Sequence, residues 1–166
     1  MSATRLPLRI LAAAAGVIAL GSLARADAPA EQYSPFDLKD RSIVDNKTGL
    51  RWQRYAASQL SFAGAVAYCA GLSLDGFVAG AWRIPSYKEL LTLVDEFPHT
   101  EYPTGAPVEI AIDGHAFPAI AVQAPYWTSS PYPPLAGSAY AVDFGTGAGQ
   151  NAATASASLN VRCVHY

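Results

Sequence analysis

Two cysteines, two histidine–carboxylate pairs and two arginines are the side chains of this 166-residue chain best suited to chemistry. Cys69 lies in Ala67-Tyr68-Cys69-Ala70 and Cys163 in Asn160-Val161-Arg162-Cys163-Val164. A catalytic thiol needs a neighbouring base or an electropositive setting to become a thiolate. Cys69 has no adjacent base and falls on an apolar helical stripe. Two cysteines are also too few for a four-ligand zinc site. In an oxidising compartment the expected product is a bond between them, closing a loop of 94 residues. Such a bond would pin the first helix to the last strand.

The remaining groups each have a chemical reading and a plain one. His99-Thr100-Glu101 and Asp113-Gly114-His115 put potential metal ligands at alternate positions, as an extended segment could. No helical ligand pair fixes their geometry, so exposed polar loop residues are the ordinary reading and a metal-dependent hydrolase stands third among the functions considered. Gly145-Thr146-Gly147-Ala148-Gly149-Gln150 has Gln150 where a dinucleotide loop needs its third glycine, and no helix pattern follows. Ser129 and Ser130 lack a nucleophile elbow. No catalytic residue, metal or cofactor is therefore expected. Arg83 and Arg162 sit in apolar contexts where a guanidinium needs a carboxylate such as Glu89, Asp95 or Asp143, which makes them structural. Aromatic side chains gather in the second half of the chain. Phe117, Trp127 and Tyr140 are expected in the core, whereas Tyr102, Tyr126 and Tyr132 are candidates for exposed rings that stack on a ligand.

The elements that must carry these groups can be read from pattern. Arg41–Val44 and Leu50–Tyr55 read as strands joined by Asp45-Asn46-Lys47-Thr48-Gly49, with Gly49 free to take a positive φ. Asn46-Lys47-Thr48 matches a glycosylation acceptor, which the turn explains equally well. Ser61 caps a helix whose buried face is Phe62, Val66, Cys69 and Leu72, with Ala65 beside them. Trp82-Arg83-Ile84-Pro85 leads into Ser86-Tyr87-Lys88-Glu89, a capping box, and a second helix that buries Leu90, Leu93, Val94 and Phe97 and stops before Pro98. Eight of the twelve prolines fall between Pro98 and Pro134, so a long structured loop is expected there, with a short strand at Tyr126–Ser130. Long loops in compact domains are uncommon without a function, which places binding on this one. Strands over Ala139–Phe144 and Asn160–His165 close the chain. Two helices on a small antiparallel sheet, with a long loop region, make an α+β layout.

The first 26 residues read as an export signal. Arg5 and Arg9 precede an uncharged run of 14 residues, Ile10 to Leu23, and Ala24-Arg25-Ala26 supplies a cleavage site. A bilayer span needs about 20 residues, so an uncleaved anchor is the weaker alternative. No later segment is apolar enough to cross a membrane. Residues 27–39 then read as a linker or extended arm, and 40–166 as one domain. Cleavage removes Arg5, Arg9 and Arg25, leaving eight basic against thirteen acidic residues, a formal charge of −5. That balance argues against nucleic acid or a sulfated polymer as partner.

Seven motifs in order then become recognisable: Val44 to Trp52, Ala67-Tyr68-Cys69, Trp82 to Leu90, Asp113 to Pro118, Tyr126 to Ser130, Val142-Asp143-Phe144 and Val161-Arg162-Cys163-Val164. Together they resemble the domain at the C-terminus of the Legionella collagen-like protein, over roughly Asp40 to Tyr166. The resemblance implies a C-type-lectin-like α+β fold, usually without enzymatic activity, and a namesake associated with adhesion and sulfated glycans. It makes Trp52, Trp82, Arg83, Pro85, Glu89, Trp127, Asp143 and Arg162 motif residues. This chain lacks the collagen repeat, carries an acidic balance, and lacks the Glu-Pro-Asn, Gln-Pro-Asp and Trp-Asn-Asp motifs of calcium-dependent lectins. The expected function is a non-catalytic exported module for a glycan or protein ligand outside the cytoplasm, with an envelope structural or assembly role as the alternative.

Overall fold

The computed structural model describes residues 29, 31–33, 37, 39–102, 105–120 and 124–166. The segment expected to be an export signal, residues 1–26, lies outside the described residues. The first hairpin forms as its turn chemistry requires. Strands β1 (Ser42–Val44) and β2 (Arg51–Gln53) pair antiparallel, and Gly49 takes a φ of 75° between them. Asp45 is buried and organises the turn, accepting from the Lys47 amide and the Thr48 hydroxyl. A short strand from Ala57 to Ser61, β3, follows and was not legible, since Ala-Ser-Gln-Leu-Ser has no alternating pattern. Its register breaks between Ala57 and Leu60, around the positive φ of Gln59.

Helix α1 (Phe62–Gly71) is capped by Ser61, whose hydroxyl accepts from the Gly64 amide. Its buried centre is Ala65 and Cys69, and Val66 is 40% exposed, contrary to the expected face. Phe62 meets Trp127 edge-on at 5.4 Å while Cys69 is bonded to Cys163, and these two anchors rotate Val66 outward.

Helix α2 spans only Tyr87–Leu91. The capping box is as expected, with Ser86 and Glu89 each bonding the other's backbone amide. The helix does not reach Pro98, and Phe97 is 69% exposed rather than buried. The cause is local. The Thr92 hydroxyl donates back to the Glu89 carbonyl, and the Asp95 amide leaves the helical ladder for the Ala111 carbonyl. Asp95 Oδ1 then accepts from the Phe97 amide and turns the ring outward.

The Pro98–Pro134 region contains more regular structure than expected. Strands β4 (His99–Glu101) and β5 (Val108–Ile110) form their own antiparallel pair, and β6 covers Tyr126–Pro131. Then come β7 (Ser138–Val142), β8 (Gly149–Ala153), β9 (Ser158–Val161) and β10 (Val164–His165). Among the described residues the strands form three sheets, ordered β1-β2-β10, β3-β9-β6-β7-β8 and β4-β5. The largest is not wholly antiparallel, because β6 and β9 run parallel. Pairing of β10 with β2 brings the two ends of the domain into one sheet.

Both faces of the central sheet are covered. Along β6, Tyr126 joins a core with Trp52, Leu90, Ile112, Phe117 and Phe144. Its neighbour Trp127 joins a second core with Ala65, Cys69, Trp82, Leu159 and Cys163. Successive strand residues point to opposite faces, so with both faces buried neither ring can reach solvent. Tyr126 is fully buried, which corrects its reading as an exposed ligand-binding residue. The disulfide Cys69–Cys163 is present, with Cα atoms 5.5 Å apart, and ties α1 to the segment between β9 and β10.

Candidate binding site

Most of the side chains singled out for chemistry are occupied by structural work. Trp82 packs edge-on to Phe77 and tilted to His165, and Arg83 exchanges backbone hydrogen bonds with Val164. The motif around Pro85 therefore docks on the last strand, and the Pro85 carbonyl accepts from the Ser129 amide. The Arg83 guanidinium meets Glu89 through two hydrogen bonds of 2.8 and 2.6 Å, as the sequence reading allowed, and lies 4.3 Å from the Tyr166 ring centroid. Ser130 accepts from the Tyr87 amide, and Asp143 accepts from the Gly145 amide rather than pairing with an arginine. Gly145–Ala148 lie in the β7–β8 turn and Gly149–Gln150 begin β8, with Gly147 at a φ of 70° close to Val94 and Ala111.

Arg162 departs from expectation. It is fully buried, and among the described residues no carboxylate pairs with it. Instead it donates to the Gln53 and Arg54 carbonyls at 2.7 Å, with its guanidinium 4.5 Å from the Phe117 centroid and 5.8 Å from that of Tyr126. Burial pushes its pKa down from the usual value. Arg54, which the sequence reading passed over, donates to the carbonyls of Asp37, Asp40, His115 and Ala116 and so ties the arm to the loop.

Glu89 supplies a test of this framework. Its hydrogen bond to Arg83 holds its pKa down at about 2, against the opposing effect of burial. A carboxyl whose folded pKa is depressed adds stability above its unfolded pKa and loses it as pH falls through the folded one. Glu89→Gln should therefore cost about 2 kcal/mol near neutral pH, after allowance for the half-exposed arginine, and the gap to the parent should close between about pH 4.5 and 2. Urea unfolding of both proteins across that range measures it. A gap that does not change with pH would mean the charge contributes nothing.

The two histidine–carboxylate pairs are brought together, but without ligand geometry. His99 Nε2 lies 3.4 Å from Glu101 Oε1, and the Glu101 carboxylate rests where a side chain at Gly114 would sit. Asp113 Oδ1 accepts from the His115 and Ala116 amides, which makes it a turn residue. Among the described residues no three His, Cys, Asp or Glu side chains are placed to hold a metal ion.

Of the tyrosines proposed for binding, Tyr102 is 66% exposed at the end of β4. Tyr132 is half-buried, edge-on to Tyr140 at 5.0 Å, and Tyr140 in turn stacks on Tyr87 at 4.4 Å. Tyr140 is thus part of a half-buried aromatic stack rather than of the core.

A concave site lies beside this loop region, in a place the sequence reading did not indicate. It is a cleft of about 300 Å³ between the arm and the segment after α2. Gln32 and Tyr33 form one wall; Thr92, Leu93, Val94, Asp95, Glu96 and Phe97 form the other, with Asp113 contributing from the loop. Tyr33 is buried edge-on to Phe117 at 5.1 Å, and its hydroxyl accepts from the Gln32 amide group. Burial, then Asp45, Asp113 and Asp95, raise the Tyr33 pKa, and Arg162 opposes them only in part. Asp95 Oδ2 is shielded from solvent without a hydrogen-bond partner. The signals that could have found this cleft were the aromatic in the arm and the Asp95-Glu96-Phe97 run, both of which pattern alone assigned elsewhere.

These features define a small α+β domain with its ends paired in one sheet, a disulfide across its second core and a recessed, acidic and aromatic cleft. The chain belongs to the family of the Lcl C-terminal domain, whose model matches residues 41–165. No curated protein and no solved structure matches the chain significantly.

Proposed function

We propose that this is an exported, non-catalytic binding module of C-type-lectin-like fold, taking a glycan or another envelope component in the cleft beside Phe97. The cleft carries this reading. A recess of about 300 Å³ that combines apolar side chains, convergent polar and acidic groups and an outward aromatic ring has the make-up of a small-ligand site. Paired chain ends, two helices and a long loop region support the lectin-like assignment. The uses already made of the cysteines, Arg83, Arg162, Ser130 and Asp113 support a non-catalytic role. Export is supported by the N-terminal signal pattern together with the disulfide. No described helix is long and apolar enough to cross a membrane.

An assembly role is the second reading. Helix α1 has no charged residue, and its outer side exposes Ala63, Val66, Ala67 and Ala70.

A glycan array probed with residues 27–166 tests the first reading. Phe97→Ala should weaken capture between about twofold and tenfold, the range for one stacking ring, and leave the melting temperature nearly unchanged. Tyr102→Ala reports whether the adjacent loop shares the ligand. If both variants hold an identified glycan as tightly as the parent, the ligand docks elsewhere and the cleft assignment fails.

A further inference from the structure

The chemistry of the cleft wall narrows the ligand, on the reading that the cleft is a binding site. Among the described residues its lining contributes three carboxylates, Asp95, Glu96 and Asp113, and no lysine, arginine or histidine. Arg162 is fully buried, donates through Nη1 alone to the Gln53 and Arg54 carbonyls and lies against Phe117. Its Nε and Nη2 have no hydrogen-bond partner among the described residues, and its charge opposes that of Asp45, Asp113 and Asp95 at Tyr33, but it does not line the cleft. An anionic sugar entering here would meet three carboxylates and no charged group of opposite sign on the described lining. The carboxylates are also unequal. Asp95 and Asp113 each spend one oxygen on backbone amides, whereas Glu96 is exposed at the mouth. Asp95 Oδ2, on the same wall, is buried and unpartnered, and a buried carboxylate oxygen without a donor carries a desolvation cost that a bound donor relieves. The upward push that Asp113 and Asp95 exert on the Tyr33 hydroxyl is an independent sign that the field here is negative. The second component of the wall is apolar: Leu93, Val94 and the outward ring of Phe97, which offers a flat face to the C–H side of a pyranose and cation–π attraction to a nearby ammonium.

We infer that the cleft selects an amino sugar carrying a free, protonated amine, the ring lying against Phe97 and the ammonium directed to Glu96 and Asp95. N-acetylation removes the charge and two of the amine's donors, so the acetylated sugar loses the feature that the acidic wall recognises.

A matched pair of probes decides this: the tetrasaccharide of β-1,4-linked glucosamine and its fully N-acetylated counterpart. Each is titrated into residues 27–166, with binding read by calorimetry and amide NMR shifts. The glucosamine tetramer should bind at least tenfold tighter than the acetylated one, with shifts at residues 92–97 and 113. Glu96→Gln should weaken it about threefold, and Glu96→Gln combined with Asp95→Asn about tenfold or more. The melting temperature of each variant checks that the segment remains folded, since Asp95 also holds the Phe97 turn. Equal affinity for the two tetramers, with shifts in the cleft, overturns the amine preference and leaves the binding site standing. Binding of the glucosamine tetramer with shifts elsewhere, unaffected by Glu96→Gln, overturns it as surface charge attraction. Failure of both tetramers to bind overturns it as well, and the array with Phe97→Ala then judges the cleft itself.

Discussion

Removing the Cys69–Cys163 bond should lower the stability of the domain by about 2–5 kcal/mol. The bond closes a loop of 94 residues, so in the chain-entropy account it restricts most of the denatured ensemble. On the native side both cysteines are fully buried in the core that also holds Ala65, Trp82, Trp127 and Val161. Cys69→Ala and Cys163→Ala, singly and together, compared by urea unfolding with the oxidised and reduced parent, measure the effect. If the bond is what matters, the double variant should cost little more than either single one, because both singles already remove the same cross-link. Costs that add would point to two independent packing losses. A reduced parent within about 0.5 kcal/mol of the oxidised one would show that the second core holds α1 to the chain end without the bond.

Arg162→Ala should cost about 3–5 kcal/mol and, unlike loss of the disulfide, should disturb the cleft. The side chain is fully buried, satisfies the Gln53 and Arg54 carbonyls at 2.7 Å, and fills the space beside Phe117 and Tyr126. Truncation leaves two carbonyls without their donor and opens a cavity beside the ring on which Tyr33 rests. Arg162→Lys should recover little of the loss. An ammonium is a point charge and cannot lay a planar face on an aromatic ring while bonding two carbonyls. Arg162→Met separates the contributions, since it restores volume without donors. Stability close to the parent in Arg162→Met would assign the role to packing alone; stability close to Arg162→Ala would assign it to the hydrogen bonds. Thermal unfolding ranks the three variants directly.

What could be read before any fold was known was local chemistry. Gly49 with Asp45, the Ser61 cap and the reciprocal Ser86–Glu89 box are written in residues a few positions apart, and each forms as its spacing requires. The Cys69–Cys163 bond was legible because two cysteines in a chain expected to be exported have few alternatives. The order of the seven motifs was enough to place the chain in its family.

What the sequence could not show depends on what lies across the space between elements. Tyr126 and Trp127 look alike in pattern; only the covering of both sheet faces decides that neither is exposed. Strands β3 and β8 carry little propensity of their own and exist because β9 and β7 supply their hydrogen bonds. Helix α2 ends early because Ala111, sixteen residues on, offers its carbonyl to Asp95. That one long-range bond turns Phe97 outward and, with Tyr33 arriving from the arm, makes the cleft. The sequence by itself determined the turns, the caps, the covalent tie and the family. Tertiary structure decided which aromatic rings are buried and where a ligand has room, because burial is a property of the surfaces that meet and not of the residue that carries the ring.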